Sequence, residues 1–312
     1  MTTIQMFVHT LGKKYKNMNQ EELEIYIIAY NNLFCVEYQI KTFRSFCQDP
    51  HKIIIIDSNC GEHPENSRQQ KKICSKYGVE FLSLPESLRY EANPTRILAA
   101  KLNWVYYNIV KTREPKYFAF IDQDFFPFRS FSVLKDLEEH GMYGDVNEMD
   151  GHKTDSHLLE DVKPGPWHIH PWLSFYRYDL IKNYPMDWSS AHNFDTGGKN
   201  WENFISKSGL DKKNYWKRHK TIMYFPFMEI SGGGPQGYEK HYFQWKGQQI
   251  YGQVQIYDGK FIHMLNSKYL DDPSNPKTNW CKGFLDLAIL VEGKLPFNSE
   301  FGFYNEGPSS HI

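Results

Sequence analysis

A short apolar segment that runs directly into two aspartates constrains the fold of this chain more than any other feature. Residues 117–128 read YFAFIDQDFFPF, so apolar and aromatic side chains precede Asp122 and Asp124. A continuous apolar run of this kind indicates a central strand that is buried on both faces. In open α/β sheets, ligands bind just beyond the carboxyl ends of such strands, which is where the two aspartates fall.

The Asp-x-Asp pair has the chemistry of a divalent-cation site. Hard cations such as Mg²⁺ and Mn²⁺ prefer carboxylate oxygens and keep open positions for the phosphates of a substrate. Asp122 and Asp124 could therefore link a metal ion to a nucleotide. The alternative is that both are solvated or helix-capping acids, because an isolated Asp-x-Asp sequence is common.

The segments before this strand alternate between strand and helix patterns. Apolar runs predict strands at residues 24–30, 52–56 and 79–82, ahead of the one that ends at Asp122. Helical spacing or composition predicts helices at residues 36–47, 64–77 and 94–110, the last beginning at a proline that a first helical turn tolerates. This alternation predicts a parallel, Rossmann-like sheet.

Four motifs in this order resemble those of the GT-A fold glycosyltransferases, and among them the inverting enzymes called family-two-like. They read IIAYNN at 27–32, IIIIDSNCG at 53–61, NPTRILAAKLN at 93–103 and FIDQDFFP at 120–127. The resemblance implies an α/β GT-A fold, in which a Rossmann-like, mostly parallel central sheet is flanked by helices and joined by a smaller acceptor-side subdomain. It implies one catalytic domain, with a nucleotide-sugar-binding half at 1–130 and an acceptor-binding and catalytic half at 131–312.

The same resemblance assigns the residues of a nucleotide-sugar site. Asp57 would hold the base, although a lone aspartate at a strand end is usually a turn residue. Ala29 and Tyr30 would line the nucleoside pocket, while Asp122 and Asp124 would bind ribose and metal. The full set of predicted nucleotide-sugar-binding residues is Ala29, Tyr30, Asp57, Arg96, Asp122, Gln123 and Lys268.

A later segment offers a third metal ligand. Residues 253–269 read as a strand, an Asp258-Gly259 turn and a second strand with His263 at its end. In several GT-A enzymes a late histidine completes the metal site and a lysine or arginine meets the diphosphate, and His263 and Lys268 resemble that pair. The implied metal ligands are Asp122, Asp124 and His263, and the implied cofactor is Mn²⁺ or Mg²⁺. A core role for His263 carries equal weight.

Asp195 is the candidate catalytic base. In the family, a sugar-binding segment precedes a Glu-Asp motif, and residues 171–181 and 192–209 resemble these two parts. Phe194 and Asp195 replace the usual acidic pair, which leaves the stereochemical outcome open. Independently of the resemblance, an acceptor hydroxyl must lose a proton to attack an anomeric carbon, and one positioned carboxylate suffices for inversion. The alternative is that Asp195 caps a helix, which would contribute about 1 kcal/mol.

Aromatic and histidine side chains supply candidates for the acceptor side. Trp172 and Trp201 could stack on sugar faces, although most aromatic side chains in such a sequence serve the core. His168 and His170 share one face if residues 167–172 are extended, and because no cysteine or glutamate spacing supports zinc we assign them an acceptor-site or structural role.

Composition is consistent with one catalytic unit. The formal charge of −1 over 312 residues gives no reason to expect nucleic acid as a partner. No apolar run approaches the roughly 20 residues of a membrane span, no secretory signal is evident, and five cysteines without paired spacing favour a reducing, cytoplasmic location. Residues 141–165 and 231–237 are predicted to be mobile lids or plain surface insertions.

These patterns predict a metal-assisted glycosyltransferase that takes a nucleotide-sugar donor and a glycan or other hydroxyl acceptor. A sugar-1-phosphate nucleotidyltransferase is an alternative, but the position of its Gly-rich phosphate loop reads AYNNLF here. A noncatalytic carbohydrate-binding protein is another, although intact Asp122, Asp124 and Asp195 argue against it.

Overall fold

The computed structural model describes residues 22–89, 94–148, 166–192, 194, 196–210, 221–222, 242–245, 248–251, 254–264 and 270–294. The strands, in chain order, are β1 (Leu23–Ala29), β2 (His51–Asp57), β3 (Glu80–Ser83), β4 (Tyr117–Asp122), β5 (Phe125–Pro127), β6 (Met142–Glu148), β7 (Trp167–Arg177), β8 (Thr221–Ile222), β9 (Tyr242–Trp245), β10 (Gln248–Tyr251), β11 (Val254–Tyr257) and β12 (Phe261–Met264).

The helices begin and end close to the predicted bounds in the first half of the chain. They are α1 (Leu33–Phe46), α2 (Pro64–Tyr77), α3 (Pro94–Val105), α4 (Lys111–Arg113), α5 (Leu134–His140), α6 (Tyr178–Ile181), α7 (Asn200–Asn203) and α8 (Pro276–Leu290). One π-helical turn (Tyr106–Val110) joins α3 to α4, and 3-10 turns form at Glu86–Arg89 and Ile205–Lys207.

The central sheet has six strands in the order β3-β2-β1-β4-β7-β6. The first four pair in parallel, β7 is antiparallel to β4, and β6 is antiparallel to β7. The predicted fold class, a Rossmann-like and mostly parallel sheet flanked by helices, is therefore confirmed for the described residues. Because β7 alone runs in the opposite direction, its first residues lie at the edge where β1, β2 and β4 end.

Apolar side chains cover both faces of this sheet. Alternate residues of a strand point to opposite faces, so Ile25 and Ile27 pack on one side while Tyr26 and Ile28 pack on the other. The helices α1 and α8 lie on the first side, and α3 lies on the second. Every residue of β1 is buried, as the continuous apolar run predicts.

A second sheet, in the order β5-β12-β11-β8, begins directly after Asp124. The predicted hairpin between β11 and β12 is confirmed, with Asp258 and Gly259 at φ 49° and 59°. Both angles lie in the left-handed region, as at the centre of a type I′ turn, and the backbone N–H of Lys260 donates to the Tyr257 carbonyl across this turn at 3.0 Å. Since β12 pairs with β5 and His263 lies opposite Phe125, the hairpin brings His263 to the Asp-x-Asp segment.

Two predictions about the second half are wrong in part. Residues 142–148 form β6 rather than a mobile loop, because β7 is long enough to supply their backbone partners. The helix that Asp195 was expected to cap does not begin next to it: only α7 and a 3-10 turn form after Lys199, since Gly197 at φ 100° lies outside helical backbone geometry. The predicted loop at 231–237 lies outside the described residues.

All five cysteines are buried with free thiols. No described helix has the length and apolarity needed to cross a membrane.

Candidate functional site

Three predicted donor-site residues lie at one edge of the central sheet. In the parallel register Ala29 pairs with Asp57, and Ile28 pairs with Asp122. The carboxyl ends of β1, β2 and β4 therefore lie side by side. This is the edge at which open α/β sheets bind ligands.

The turn that carries the two aspartates is held by a buried amide. Gln39 in α1 is fully buried, and its Nε2 donates to the backbone oxygens of Asp122 at 2.6 Å and Phe125 at 3.1 Å. The backbone N–H of Gln123 donates to Asp122 Oδ1 at 2.8 Å. These bonds fix the backbone on both sides of Asp124.

Asp124 is paired with His263. The Asp124 Oδ1 atom lies 3.0 Å from His263 Nε2, and the backbone N–H of Met264 donates to the Asp124 carbonyl at 2.9 Å. His263 is 2% exposed, and its Nδ1 has no hydrogen-bond partner among the described residues. The structure thus brings together the predicted ligands Asp124 and His263.

Aromatic rings enclose the His263 imidazole. Trp172 lies 5.1 Å from it between ring centroids, Phe125 lies at 5.3 Å and Tyr257 at 6.3 Å. These rings exclude water from the Asp124–His263 pair, and a low local dielectric strengthens the electrostatic interactions made there.

The Asp-x-Asp pair concentrates negative charge. Burial raises the pKa of the Asp122 carboxyl, and the neighbouring Asp124 raises it further, while His263 opposes the shift. Lys277 of α8 is 1% exposed, and burial lowers its pKa to about 8 despite the opposing field of Asp124. A cation between the carboxylates would offset the repulsion that shifts Asp122.

The donor set fits an open cation site rather than a closed one. Among the described residues, no cluster of three or more histidine, cysteine, aspartate or glutamate side chains is arranged to enclose a metal ion. Mg²⁺ sites commonly use one or two carboxylates and complete their shell with substrate phosphates and water. Asp122 and Asp124, with the orphaned Nδ1 of His263 nearby, match that incomplete type.

Tyr30 connects the ends of β1 and β4. Its backbone N–H donates to Gln123 Oε1 at 2.9 Å, and its hydroxyl donates to Glu62 at 3.0 Å. The ring is 37% exposed, and Lys101 Nζ lies 5.3 Å from its centroid. Lys101 also donates to the carbonyl of Ser58 at 2.6 Å, which places an ammonium group beside the predicted nucleoside pocket.

The Asp57 carboxylate accepts hydrogen bonds from residues close to it in the fold. Its Oδ1 accepts from the backbone N–H of Asn59 at 3.0 Å and from the Asn59 amide at 2.8 Å. Its Oδ2 accepts from Ser83 at 3.3 Å. These bonds agree with the turn interpretation, and base recognition by Asp57 stays a prediction.

The start of β7 lies against the segment that contains the candidate base. Asp195 itself lies outside the described residues. Its neighbour Phe194 packs on His168 at 4.7 Å between ring centroids, and a Cβ on Gly197 would lie 2.9 Å from the His168 Nδ1. The helix-cap alternative for Asp195 is wrong, because α7 begins at Asn200 and its N-cap is Lys199.

The other predicted site residues have different surroundings, and one lies outside the described chain. Trp201 packs against Trp167 at 6.4 Å between ring centroids. Arg96 is exposed in the first turn of α3. Lys268 lies outside the described residues. Trp172 is half-buried and contacts His263, and its role at the acceptor stays a prediction.

Sequence reasoning missed Gln39, Lys101, Lys277 and Asp145, the last of which accepts a hydrogen bond from the Trp172 indole. Lysine and glutamine usually lie on the surface, so neither the residue type nor its spacing in the sequence predicts that these side chains are buried. The only signal was position: Gln39 and Lys101 occur inside helices whose neighbouring residues are apolar. Asp145 was included in a segment predicted to be a loop.

No protein-family model and no curated protein matches the chain. Similar solved structures include the mannosyltransferase PcManGT from Pyrobaculum calidifontis in complex with GDP-Man and Mn²⁺, at 11% identity over 64% of this chain and 58% of that one, with a TM-score of 0.35. The galactosyltransferase LgtC in complex with donor and acceptor sugar analogues matches at 11% identity over 49% and 57%, with a TM-score of 0.34. The mannosyltransferase Ktr4p from S. cerevisiae matches at 8% identity over 59% and 68%, with a TM-score of 0.35.

Each of these proteins is named as a glycosyltransferase, the class that the sequence motifs resemble. This chain spans less than two thirds of PcManGT and of LgtC. With TM-scores below 0.5, the similarity does not bear on the activity of this chain.

Proposed function

We propose that this protein is a metal-assisted glycosyltransferase that moves a sugar from a nucleotide-diphosphate donor to a hydroxyl acceptor. The observation that carries the proposal is the Asp124–His263 pair, joined at 3.0 Å beside Asp122 at the carboxyl end of β4. It puts hard oxygen donors and a buried imidazole at the sheet edge where a nucleotide would bind.

The donor site would extend from Asp57 to Asp124. Tyr30 and Lys101 flank the nucleoside end, where the ammonium group of Lys101 offers donors to base or ribose oxygens. Asp122, Asp124 and His263 would hold a Mn²⁺ or Mg²⁺ ion. Such an ion would stabilise the negative charge that develops on the departing nucleoside diphosphate.

Asp195 would act as the base on the acceptor side. A carboxylate that accepts the acceptor's proton raises the nucleophilicity of the hydroxyl as it attacks the anomeric carbon. Two points support this role: its flanking residues Phe194 and Thr196 are buried, with Phe194 against His168 of β7, and α7 begins only at Asn200, five residues after Asp195. A single displacement assisted by one base inverts the anomeric configuration.

The acceptor, a glycan or a lipid- or protein-linked hydroxyl, would approach from the side of β7 and the residues after 131. The nucleotide half, 1–130, would carry the donor. The five buried thiols suit a reducing compartment such as the cytoplasm.

The test is a thermal-shift screen of the purified chain against UDP, GDP, CMP and dTDP sugars, each with Mn²⁺ and with a chelator. We expect one nucleotide to raise the melting temperature in the presence of Mn²⁺ and to lose that effect with the chelator, because a ligand that binds only the folded state stabilises it by mass action. Release of the nucleotide in the presence of an acceptor then separates a transferase from a sugar-binding protein. Metal-independent stabilisation by every nucleotide would contradict the metal assignment.

A further inference from the structure

The pairing of β6 with β7 is interrupted at Asp145. Gly144 lies opposite Ser174, whereas Val146 lies opposite Ile169. A single residue of β6, Asp145, therefore faces four residues of β7. Such an irregularity bends the longer strand and changes the direction of its side chains.

The residues of β7 inside this irregularity cannot continue a regular ladder. Pro171 has no backbone N–H to donate. A Cβ on Gly144 would overlap the backbone oxygen of Leu173, so the strands approach closely only because residue 144 is glycine. The consequence is that Asp145 and Trp172 come within hydrogen-bond distance.

Two contacts fix the Trp172 indole. Its Nε1 donates to Asp145 Oδ2 at 3.0 Å, and Asp145 is 9% exposed. One indole face stacks on the His170 ring, with the centroids 3.5 Å apart and the planes at 25°. Since this face is covered, it is closed to a sugar.

The anchored indole lies against His263. The two rings are 5.1 Å apart between centroids, at an interplanar angle of 56°. Phe125 and Tyr257 enclose the same imidazole, whose Nε2 meets Asp124. The backbone of β12 fixes the Cα of His263, and among the described residues the bond to Asp124 and these rings restrain rotation of its side chain.

We propose that Trp172, anchored by Asp145, is a positioning residue that holds the His263 imidazole in register with Asp124. It acts through His263 rather than by stacking on an acceptor. The metal-binding consequence rests on the proposed function, whereas the restraint on the ring exists without a metal.

The first experiment measures binding of Mn²⁺ alone to the full chain, by loss of the free Mn²⁺ signal in electron paramagnetic resonance. Trp172→Phe removes the N–H donor, and Asp145→Leu removes the acceptor. Because groups that orient a metal ligand typically contribute tenfold to hundredfold in affinity, each should weaken binding by about that factor. Asp145→Asn keeps an acceptor oxygen and should retain most of the affinity.

Trp188→Phe is the matched control. Trp188 is a fully buried tryptophan that packs among Tyr106 and Phe120 on the opposite face of the sheet. This variant should lower the melting temperature and leave Mn²⁺ affinity unchanged, which separates positioning of His263 from a general loss of stability. Equal Mn²⁺ affinity in wild type, Trp172→Phe and Asp145→Leu would overturn the positioning role while leaving the metal site in place.

The second experiment measures the tautomer and hydrogen bonding of the His263 imidazole in the absence of metal. With ¹⁵N-labelled histidine, the two-bond ¹H–¹⁵N spectrum reports the tautomer and hydrogen bonding of each imidazole, and His263→Gln identifies the signals of His263. We expect both ring nitrogens of His263 to shift in Trp172→Phe and Asp145→Leu but not in Trp188→Phe. If wild type binds no Mn²⁺, the metal part of the proposed function fails, and this spectrum still decides the positioning role: unshifted signals overturn it.

Discussion

Asp124 and His263 lie 139 positions apart in the chain, yet their side chains meet at 3.0 Å. The contact exists because Phe125, the residue after Asp124, pairs with His263 in the second sheet. One β-ladder therefore aligns the carboxylate that follows β4 with an imidazole from β12.

Asp124→Asn should weaken Mn²⁺ binding at least tenfold and abolish metal-dependent nucleotide binding. The substitution removes a charge at nearly constant shape, and an amide can still bond the imidazole. Because Asp124 contributes to the raised pKa of Asp122, removing its charge relieves repulsion and the melting temperature should not fall. Isothermal calorimetry with Mn²⁺ and the preferred nucleotide measures the effect.

Asp179→Asn serves as the control for that change of charge, because Asp179 is exposed and bonds Arg177 at the far end of β7. It should bind Mn²⁺ as wild type does. Unchanged Mn²⁺ affinity in Asp124→Asn would remove Asp124 from the metal site.

Gln39→Leu should destabilise the protein by about 1 to 3 kcal/mol, because the backbone oxygens of Asp122 and Phe125 lose their buried donor. The freed turn should also bind Mn²⁺ more weakly. Urea unfolding gives the first quantity and calorimetry the second.

Gln69→Leu is the matched substitution for this test, since the Gln69 amide bonds Glu65 at the surface of α2. Its stability and Mn²⁺ affinity should stay close to those of wild type. A Gln39→Leu protein of normal stability would mean that the turn does not depend on these two bonds.

The fold of the described part of the first 130 residues was largely predictable because local pattern and tertiary environment agree there. β1, β2 and β4 are buried on both faces, so their positions carry continuous apolar runs that no exposed segment would show. The helix α2 combines a proline in its first turn with Gly78 after its end, and its bounds were predicted to the residue.

The structure of the second half depends on long-range contacts that produce no periodic pattern in the sequence. The hairpin of β11 and β12 was visible from Asp258-Gly259, but its pairing with β5 was not, since register between distant strands is decided by packing. Trp172 was proposed to stack on a sugar face, and the sequence did not show its contact with His263. The interruption opposite Asp145, which turns the indole towards His263, depends on a strand that was predicted to be a loop.

Glu80→Gln should destabilise the protein by about 2 to 4 kcal/mol near neutral pH, because Lys52 would lose the Glu80 carboxylate and Arg113 would keep only that of Glu24, 3.6 Å away. Burial raises the pKa of Glu80, but hydrogen bonds from Arg113 and Lys52 outweigh it, so the net shift is downward. A lowered folded-state pKa stabilises the protein above the unfolded value of about 4.3 and loses that contribution as pH falls through the folded one.

The stability difference between wild type and Glu80→Gln should therefore shrink as pH falls from about 6 to about 3 in urea unfolding experiments. Glu65→Gln should show a much smaller dependence, because its pair with Arg68 is exposed and screened by solvent. A difference that stays constant across this pH range would mean that the Glu80 ion pairs do not stabilise the fold.

Asp195→Asn should lower the rate of transfer by about 10² to 10⁴ while leaving donor binding intact, because a general base contributes to the rate by that factor. Asp187→Asn provides the contrast within the same region. The Asp187 carboxylate accepts from Ser189 and Asn103, and Lys199 lies 3.3 Å from it, so this variant should lose stability rather than catalytic rate. Single-turnover transfer at saturating donor, with melting temperatures for both proteins, distinguishes the two effects. A fully active Asp195→Asn protein would exclude Asp195 as the base and direct the search to the histidines at the start of β7.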